Sequence, residues 1–138
     1  MMTDPALPFV RRPDAARRVL IVDDATLVRL FYREALQAAG FEVEEAINGI
    51  EAMEKVLSQR FDLLVVDVNM PKMDGLALLR ALRAQAEVAS VPVLVTSSEA
   101  AEHDVAAARA AGANYYLVKP ISQEDLVLYS AVLTGAPA

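Results

Sequence analysis

Short apolar segments alternate with amphipathic segments along most of this chain, and that alternation limits the possible folds more than any other feature. Residues Val19–Val22 and Leu63–Val66 are wholly apolar, which is typical of strands buried on both faces. Each is followed by a segment with apolar residues at helical spacing. Strands that alternate with helices of this length form parallel βαβ units, with helices on both faces of one sheet. The sequence therefore predicts an α/β fold with five strands.

The predicted elements follow one another without internal repeats. The strands are predicted over residues 19–22, 41–46, 63–66, 92–96 and 115–118, and the helices over 26–39, 49–59, 76–86, 100–111 and a last segment that begins after an N-cap at Ser122. The first helix is predicted to bury one stripe, formed by Leu27, Leu30, Phe31, Ala35 and Leu36. The second is predicted to turn inward Ala52, Met53, Val56 and Leu57. Gly40 is expected to end the first helix in the left-handed conformation.

The N-terminal region differs from the rest of the chain in composition. Residues 1–18 contain three prolines and no hydrophobic period, so we interpret them as a flexible arm. Residues 19–134 are the predicted domain, and residues 135–138 are a short C-terminal tail. The arm holds four arginines and two aspartates, whereas the whole chain has a net charge of −6. The sequence does not indicate a role for this basic arm.

Composition excludes several classes of protein. A hydrophobic fraction of 55% is too high for a disordered chain. Without cysteine and with one histidine, His103, the chain lacks the ligands of a thiolate or multi-histidine metal site. The acidic balance argues against nonspecific nucleic-acid binding, because phosphates require a basic surface. The longest uncharged segment, residues 126–138, is too short for a membrane span of roughly 20 residues, and no signal peptide precedes it. We therefore predict a soluble cytoplasmic protein with no membrane partner.

Polar residues occur where the predicted strands end. Asp23 and Asp24 follow the first strand, Asp67 follows the third, Ser97 ends the fourth and Lys119 follows the fifth. In open α/β sheets, ligands bind at the carboxyl ends of the strands. Clustered carboxylates resist ionisation unless a cation balances them, and Mg²⁺ takes carboxylate oxygens as ligands. Because a carboxylate can also accept a phosphoryl group, this combination predicts a phosphoryl-transfer site with Asp67 as the acceptor.

Each acidic position also has a simpler interpretation when it is taken alone. Asp23 and Asp24 could start a helix, where negative charge favours the positive end of the dipole. Asp67 could be a turn residue, and Lys119-Pro120 is a common loop pair. The occurrence of suitable residues at four of the five strand ends favours the functional interpretation.

Four segments resemble the receiver domain of bacterial two-component response regulators, of the single-domain chemotaxis-like type. They read VLIVDD at residues 19–24, DVNMPKMDG at 67–75, VPVLVTSS at 91–98 and YLVKP at 116–120. The resemblance covers residues 18 to about 134. It implies a doubly wound, flavodoxin-like (βα)5 fold with five parallel strands in the order 2-1-3-4-5.

The resemblance also implies roles for the residues at the strand ends. Asp67 matches the phosphoacceptor, and Lys119 is expected to contact the phosphoryl oxygens. Mg²⁺ is the implied cofactor, bound directly by Asp24 and Asp67 and mainly through water by Asp23. The backbone carbonyl of Asn69 is expected to complete the protein's share of the coordination.

Other matched positions concern conformation and kinetics. Ser97 and Tyr116 match the pair that switches on phosphorylation; the alternative is a half-buried sheet tyrosine that does not move. Asn69 and Glu99 match positions that tune the lifetime of the phosphorylated state; the alternative is two polar loop residues without kinetic effect. Gly75 is expected to permit a tight turn, and the Lys119–Pro120 bond is expected to be cis. Thr96 is expected to point into the core, and Tyr115 to face the sheet side opposite Tyr116.

The function implied is that of a stand-alone response regulator. A partner histidine kinase would phosphorylate Asp67, and the altered face of helix four, strand five and helix five would bind a downstream protein. The short segment after Pro120 leads us to expect no output domain and no enzyme activity beyond self-phosphorylation and self-dephosphorylation. Two alternatives remain: a phosphorelay intermediate that passes the group to a phosphotransfer histidine, and a receiver fragment of a longer regulator. An aspartate-nucleophile phosphatase is disfavoured, because the acid it needs two residues after the nucleophile is here Asn69.

The last predicted helix is apolar on more than one side. The segment LVLYSAVL at residues 126–133 contains no charged residue. Apolar residues on several faces of a surface helix indicate a partner surface or a homodimer contact. The alternative is a short helix that packs against the sheet and the first helix.

Overall fold

Five strands alternate with five helices in the computed structural model, which describes residues 16–70 and 72–136. The strands are β1 (Arg18–Val22), β2 (Glu42–Ala46), β3 (Leu63–Asp67), β4 (Val93–Ser97) and β5 (Tyr115–Val118). The helices are α1 (Thr26–Ala38), α2 (Gly49–Ser58), α3 (Gly75–Ala84), α4 (Glu102–Ala111) and α5 (Gln123–Thr134). All neighbouring strands are parallel, in the order β2-β1-β3-β4-β5. The predicted fold class and strand order are confirmed.

The start of the domain is connected to its last helix. β1 begins at Arg18, one residue before the predicted domain boundary, and Arg17 donates hydrogen bonds to the carbonyls of Thr134 and Gly135. Parts of the predicted arm and tail lie outside the described residues, namely residues 1–15 and 137–138, and so does Pro71. Within the described part of the chain, no helix is long and apolar enough to cross a membrane.

The sheet separates two hydrophobic layers. One face is covered by α2, α3 and α4, and the other by α1 and α5. Every residue of β3 and β4 is buried, including the polar residues at their carboxyl ends, as is typical of central strands in a parallel sheet covered on both faces. Burying a Leu or Val side chain contributes roughly 1.5–3 kcal/mol, so these two strands anchor the polar residues at their carboxyl ends.

The buried face of α1 differs from the predicted stripe. Leu27, Leu30 and Phe31 are 79%, 49% and 44% exposed, whereas Ala35 and Leu36 are buried together with Tyr32. The prediction was wrong for the first three residues because α1 is apolar on more than one side. Contacts of α1 with α5 and β2, rather than periodicity, selected the buried side.

The remaining local predictions mostly agree with the structure. In α2, Ala52 and Val56 are buried and Met53 is partly buried, but Leu57 is 54% exposed and was wrongly placed inside. Gly40 adopts the predicted left-handed conformation with a φ of 95°. The Ser122 hydroxyl caps α5 by accepting a hydrogen bond from an α5 backbone N–H group.

Candidate functional site

The predicted polar residues lie together at the carboxyl edge of the sheet. Asp67 ends β3 and Ser97 ends β4, while the acidic pair follows β1 directly. Carboxylate oxygens of Asp23, Asp24 and Asp67 lie within 4.8 Å of one another. Asp23 and Asp67 are 1% and 5% exposed, whereas Asp24 is open to solvent. The arrangement is a half-enclosed acidic cluster with one accessible side.

Lys119 provides positive charge to this cluster. Its Nζ lies 3.2 Å from Oδ2 of Asp23 and 3.3 Å from Oδ1 of Asp67. The ammonium group reaches this position from the loop after β5, where the Lys119–Pro120 peptide bond is cis, as the sequence resemblance implies. One ammonium group in contact with two of the three carboxylates leaves the cluster with excess negative charge.

The environment of Asp67 opposes its ionisation. Burial raises the pKa of Asp67 above its usual value, and the neighbouring Asp23 carboxylate raises it further. Lys119 and a hydrogen bond from the backbone N–H of Asn69, 3.3 Å from Oδ1, lower it. Since the first two effects prevail, an additional cation at the cluster would favour the charged form.

The donor set fits a hard divalent cation. Three carboxylates provide oxygen ligands, and the exposure of Asp24 leaves room for the water molecules that Mg²⁺ retains. No histidine or sulfur ligand is among them, so a soft metal is disfavoured. The cluster is therefore a candidate magnesium centre, and its three carboxylates are among the ligands predicted from the sequence.

Tyr32 is a residue near the site that sequence reasoning did not identify. It is buried on the inner side of α1, and its pKa is raised to about 12, first by burial and then by the Asp23 and Asp67 carboxylates. Its proximity to both carboxylates depends on which side of α1 faces the sheet. The apolar pattern of α1 predicts that Leu27 and Phe31 face the core, so the sequence gives no signal that Tyr32 lies near the site.

Ser97 and Tyr116 contact the same residue of the β4–α4 loop. The Ser97 hydroxyl accepts a hydrogen bond from the backbone N–H of Glu99 at 3.0 Å. The Tyr116 hydroxyl donates a hydrogen bond to the Glu99 carbonyl at 2.7 Å. The two predicted switch residues are therefore connected through one peptide segment. Tyr115 faces the other side of the sheet, as predicted, and stacks on Tyr129 of α5 with ring centroids 4.6 Å apart.

Gly75 allows close packing where the β3–α3 loop returns to the end of β3. A Cβ atom at this position would lie 2.4 Å from the Asp67 carbonyl oxygen and 2.9 Å from the Val68 Cα. The left-handed residues of this loop are instead Lys72 and Met73, with φ of 50° and 65°. The glycine thus allows α3 to approach the end of β3, and its N–H donates to the Val68 carbonyl at 3.1 Å, which closes this loop.

We expect Gly75→Ala to lower the free energy of unfolding by about 1–3 kcal/mol, because the added carbon collides with backbone that cannot move without displacing Asp67. Urea unfolding measures the loss, and amide NMR shifts of residues 67–69 report the displacement. Gly40→Ala is the control: a Cβ there meets no atom within 4 Å, so only the strain of its left-handed φ is tested. Unchanged stability and unchanged shifts in Gly75→Ala would contradict the packing argument.

Two cavities differ in their relation to the acidic cluster. An apolar groove of about 540 Å³ lies beside Lys119, between α1 residues Leu27 and Phe31 and the Pro120–Ile121 segment. A larger cavity of about 840 Å³ includes Arg17 and Pro92 in its lining and lies at the opposite, amino edge of the sheet. None of the predicted site residues lines the larger cavity, whereas Lys119 and Pro120 line the smaller groove.

Comparison with known proteins places these observations in a family. A family model described as the response regulator receiver domain matches residues 19–130. A gliding motility regulatory protein of Myxococcus xanthus is 44% identical over 83% of this chain and 15% of its own length. The transcriptional regulatory protein PrrA of Mycobacterium leprae is 43% identical over 80% of this chain and 46% of its own length. The chain thus spans less than half the length of these curated relatives.

Solved structures are similar over nearly their whole length. The chemotaxis protein CheY4 of Vibrio cholerae superposes with a TM-score of 0.83 at 37% identity, covering 86% of this chain and 99% of that protein. The similarity extends over all five strands of the present fold.

Proposed function

The chain belongs to the response regulator receiver domain family, and from that premise we propose that Asp67 accepts a phosphoryl group from a histidine kinase with the help of Mg²⁺. The observation that carries this proposal is the position of the Asp67 carboxylate. It is buried at the end of β3, 3.3 Å from Lys119 Nζ and next to two further carboxylates. A carboxylate in that setting can act as a nucleophile towards phosphorus.

The transfer itself requires little covalent chemistry from the rest of the site. An Asp67 carboxylate oxygen forms a bond to phosphorus while the bond from phosphorus to the donor's imidazole nitrogen breaks, and that nitrogen keeps the bonding electron pair. Lys119 is placed to balance negative charge on the phosphoryl oxygens. The phosphoryl group is later lost by hydrolysis: water attacks phosphorus, and the products are the free carboxylate and inorganic phosphate. We infer that the protein has no enzyme activity beyond this cycle.

Four groups would hold the metal ion. Asp24 and Asp67 would bind it directly, Asp23 mainly through water, and Asn69 through its backbone carbonyl. When bound, Mg²⁺ supplies positive charge that favours the ionised nucleophile and neutralises charge on the phosphoryl group. Asn69 and Glu99 would tune the lifetime of the phosphorylated state, since both lie in loops beside Asp67 and Ser97.

The response would be a rearrangement of the β4–α4 loop. A hydrogen bond from Ser97 to the phosphoryl group would compete with the contact that Ser97 makes to the Glu99 N–H. Because Tyr116 binds the carbonyl of the same residue, movement of Glu99 would release or redirect the Tyr116 ring. The face formed by α4, β5 and α5 would then change its shape for a downstream protein.

Two exposed apolar surfaces support two partners. Beside the acidic cluster, the groove between Leu27, Phe31 and Pro120 suits a kinase that must bring its phosphohistidine to Asp67. On α5, Leu128 and Val132 are 54% and 68% exposed, which supports a downstream partner or a homodimer contact. We locate kinase docking at the first surface and output at the second.

Acetyl phosphate tests the proposal without the kinase. We expect the wild-type protein to gain one phosphoryl group in the presence of Mg²⁺ and none with EDTA, because the cation balances the acidic cluster. Intact-protein mass spectrometry measures the gain, and peptide analysis assigns it to Asp67. Labelling that is independent of Mg²⁺, or that maps to another residue, would contradict the proposal.

A further inference from the structure

Arg29 of α1 holds the loop that carries the acidic pair. Its Nη1 donates a hydrogen bond to the backbone carbonyl of Asp23 at 2.8 Å. Its Nε donates to Oε1 of Glu45 in β2, also at 2.8 Å. The side chain is only 12% exposed, so this guanidinium is fixed between a helix, a strand and the β1–α1 loop.

All three polar groups of Asp23 have a partner within the protein. Its N–H donates to the carbonyl of Ala46 at 3.1 Å, and its carboxylate accepts from the N–H of Ala25 at 2.9 Å as well as from Lys119. Arg29 binds the remaining group, the carbonyl. Because that carbonyl belongs to the peptide that joins Asp23 to Asp24, the contact fixes the direction in which Asp24 leaves the strand.

Apart from the hydrogen bond from the Ala25 N–H to the Asp23 carboxylate, the start of α1 adds no side-chain cap to this loop. Its N-cap residue, Ala25, has no side chain that can cap the helix, and the first turn contains no acidic residue. Asp23 and Asp24 therefore lack the usual restraint of a capped helix start. The guanidinium of Arg29, one turn into the helix, takes over that restraint.

The charge of Arg29 is balanced away from the acidic cluster. Glu45 is in ion-pair contact with both Arg29 and Arg33, and Arg33 also donates to the carbonyl of Val43. Among the contacts of Arg29 in the described residues, the one to the β1–α1 loop is to a carbonyl and not to a carboxylate. Arg29 therefore acts on the cluster mainly by fixing the position of the β1–α1 loop, and less by neutralising its carboxylates.

We infer that Arg29, held in place by Glu45, is a positioning residue for the metal-binding pair Asp23 and Asp24. The inference rests on the proposed Mg²⁺ site. Partners that orient metal ligands typically alter metal affinity by about 10- to 100-fold when they are removed. Arg29 makes that contribution without touching the cation or the phosphoryl group.

Magnesium titrations of three variants, followed by amide NMR shifts, test the inference. We expect Arg29→Met to raise the Mg²⁺ dissociation constant about 10-fold or more, with altered amide shifts at residues 24 and 25. Arg29→Lys, which keeps the charge but not the fork that reaches two partners, should have an intermediate effect. Arg33→Met is the matched control: it removes the other guanidinium from Glu45 and should bind Mg²⁺ within about twofold of wild type.

A second measurement separates positioning from general damage to the fold. With acetyl phosphate, the labelling rate of Arg29→Met should approach the wild-type rate at saturating Mg²⁺ and be lower at limiting Mg²⁺. Should Arg29→Met not fold by circular dichroism, Glu45→Gln is measured in its place and should weaken Mg²⁺ binding in the same direction.

The possible failures are distinguishable. If wild type binds no Mg²⁺, the proposed function and this inference are both wrong. If wild type binds Mg²⁺ and Arg29→Met binds it within twofold, only the inference is wrong. An equal loss in Arg33→Met would also overturn it, because the effect would then come from the Glu45 network as a whole.

Discussion

Asp67→Asn is expected to abolish phosphoryl transfer from acetyl phosphate while leaving the fold intact. The amide keeps the size and shape of the carboxylate but lacks the anionic oxygen that attacks phosphorus. Mass spectrometry of the intact protein measures the loss, under Mg²⁺ conditions that label wild type. Asp104→Asn in α4 is the control and should be labelled normally, since Asp104 is not one of the three clustered carboxylates. Residual labelling of Asp67→Asn would exclude Asp67 as the acceptor.

The same variant has an expected effect on stability, with a defined direction. Because burial and Asp23 raise the pKa of Asp67, the folded state binds its proton more readily than the unfolded state does. The protonated Asp67 carboxyl therefore stabilises the fold fully at pH values below its pKa in the unfolded chain. This stabilisation is lost as pH rises through its higher pKa in the folded protein. At neutral pH the ionised carboxylate opposes folding, and the neutral amide does not.

In metal-free buffer at pH 7, Asp67→Asn should therefore have a higher free energy of unfolding than wild type. The difference should shrink as pH falls through the raised pKa of folded Asp67, and the part due to ionisation should be gone below the usual aspartate value of 3.8. Urea unfolding with EDTA across this range measures it, and added Mg²⁺ should stabilise wild type more than the variant. A variant that is less stable than wild type at pH 7 in EDTA would contradict the argument.

Arg83→Met is expected to lower the free energy of unfolding by roughly 3 kcal/mol, because it removes charged hydrogen bonds that connect three parts of the fold. The Arg83 guanidinium donates to the Gly112 carbonyl at 2.6 and 3.1 Å, and to Asn114 Oδ1 at 2.9 Å. It also binds the carbonyls of Ala89 and Val91, at 3.0 and 2.6 Å. The side chain therefore joins α3 to the end of α4 and to the segments that precede β4 and β5.

Urea unfolding measures this effect against a matched control. Arg80 lies one turn earlier on the same helix and is exposed, so Arg80→Met should change stability by no more than about 0.5 kcal/mol. A similar loss in both variants would mean that charge or helix propensity, and not the hydrogen-bonded junction, accounts for the effect. A loss in Arg83→Met alone supports the junction.

The sequence was sufficient to predict the order of the elements and the meeting point of the polar residues. Val19–Val22 and Leu63–Val66 can be buried only inside a sheet covered on both sides, and parallel connection brings their carboxyl ends to one edge. Asp23 and Asp67 follow those strands directly, so their proximity is a consequence of chain direction. The resemblance to receiver domains added the strand order, which apolar patterns alone do not specify.

Three features depended on contacts between distant segments. The choice between Leu27 and Tyr32 as the buried side of α1 required the positions of α5 and β2, because both sides of that helix offer apolar residues. The reason for Gly75 became evident only when α3 was placed against the end of β3. The contact of Arg29 with the Asp23 carbonyl could be identified only once the structure placed Glu45 of β2 beside Arg29.

The sequence by itself therefore determined the α/β architecture and the polar residues that meet at its acidic edge, because these follow from local hydrophobic patterns and chain direction. The tertiary structure alone decided which helix side is buried, how close Gly75 approaches Asp67 and which arginine restrains the acidic loop. These depend on packing and hydrogen bonds between residues far apart in the chain, and periodicity contains no information about such pairs.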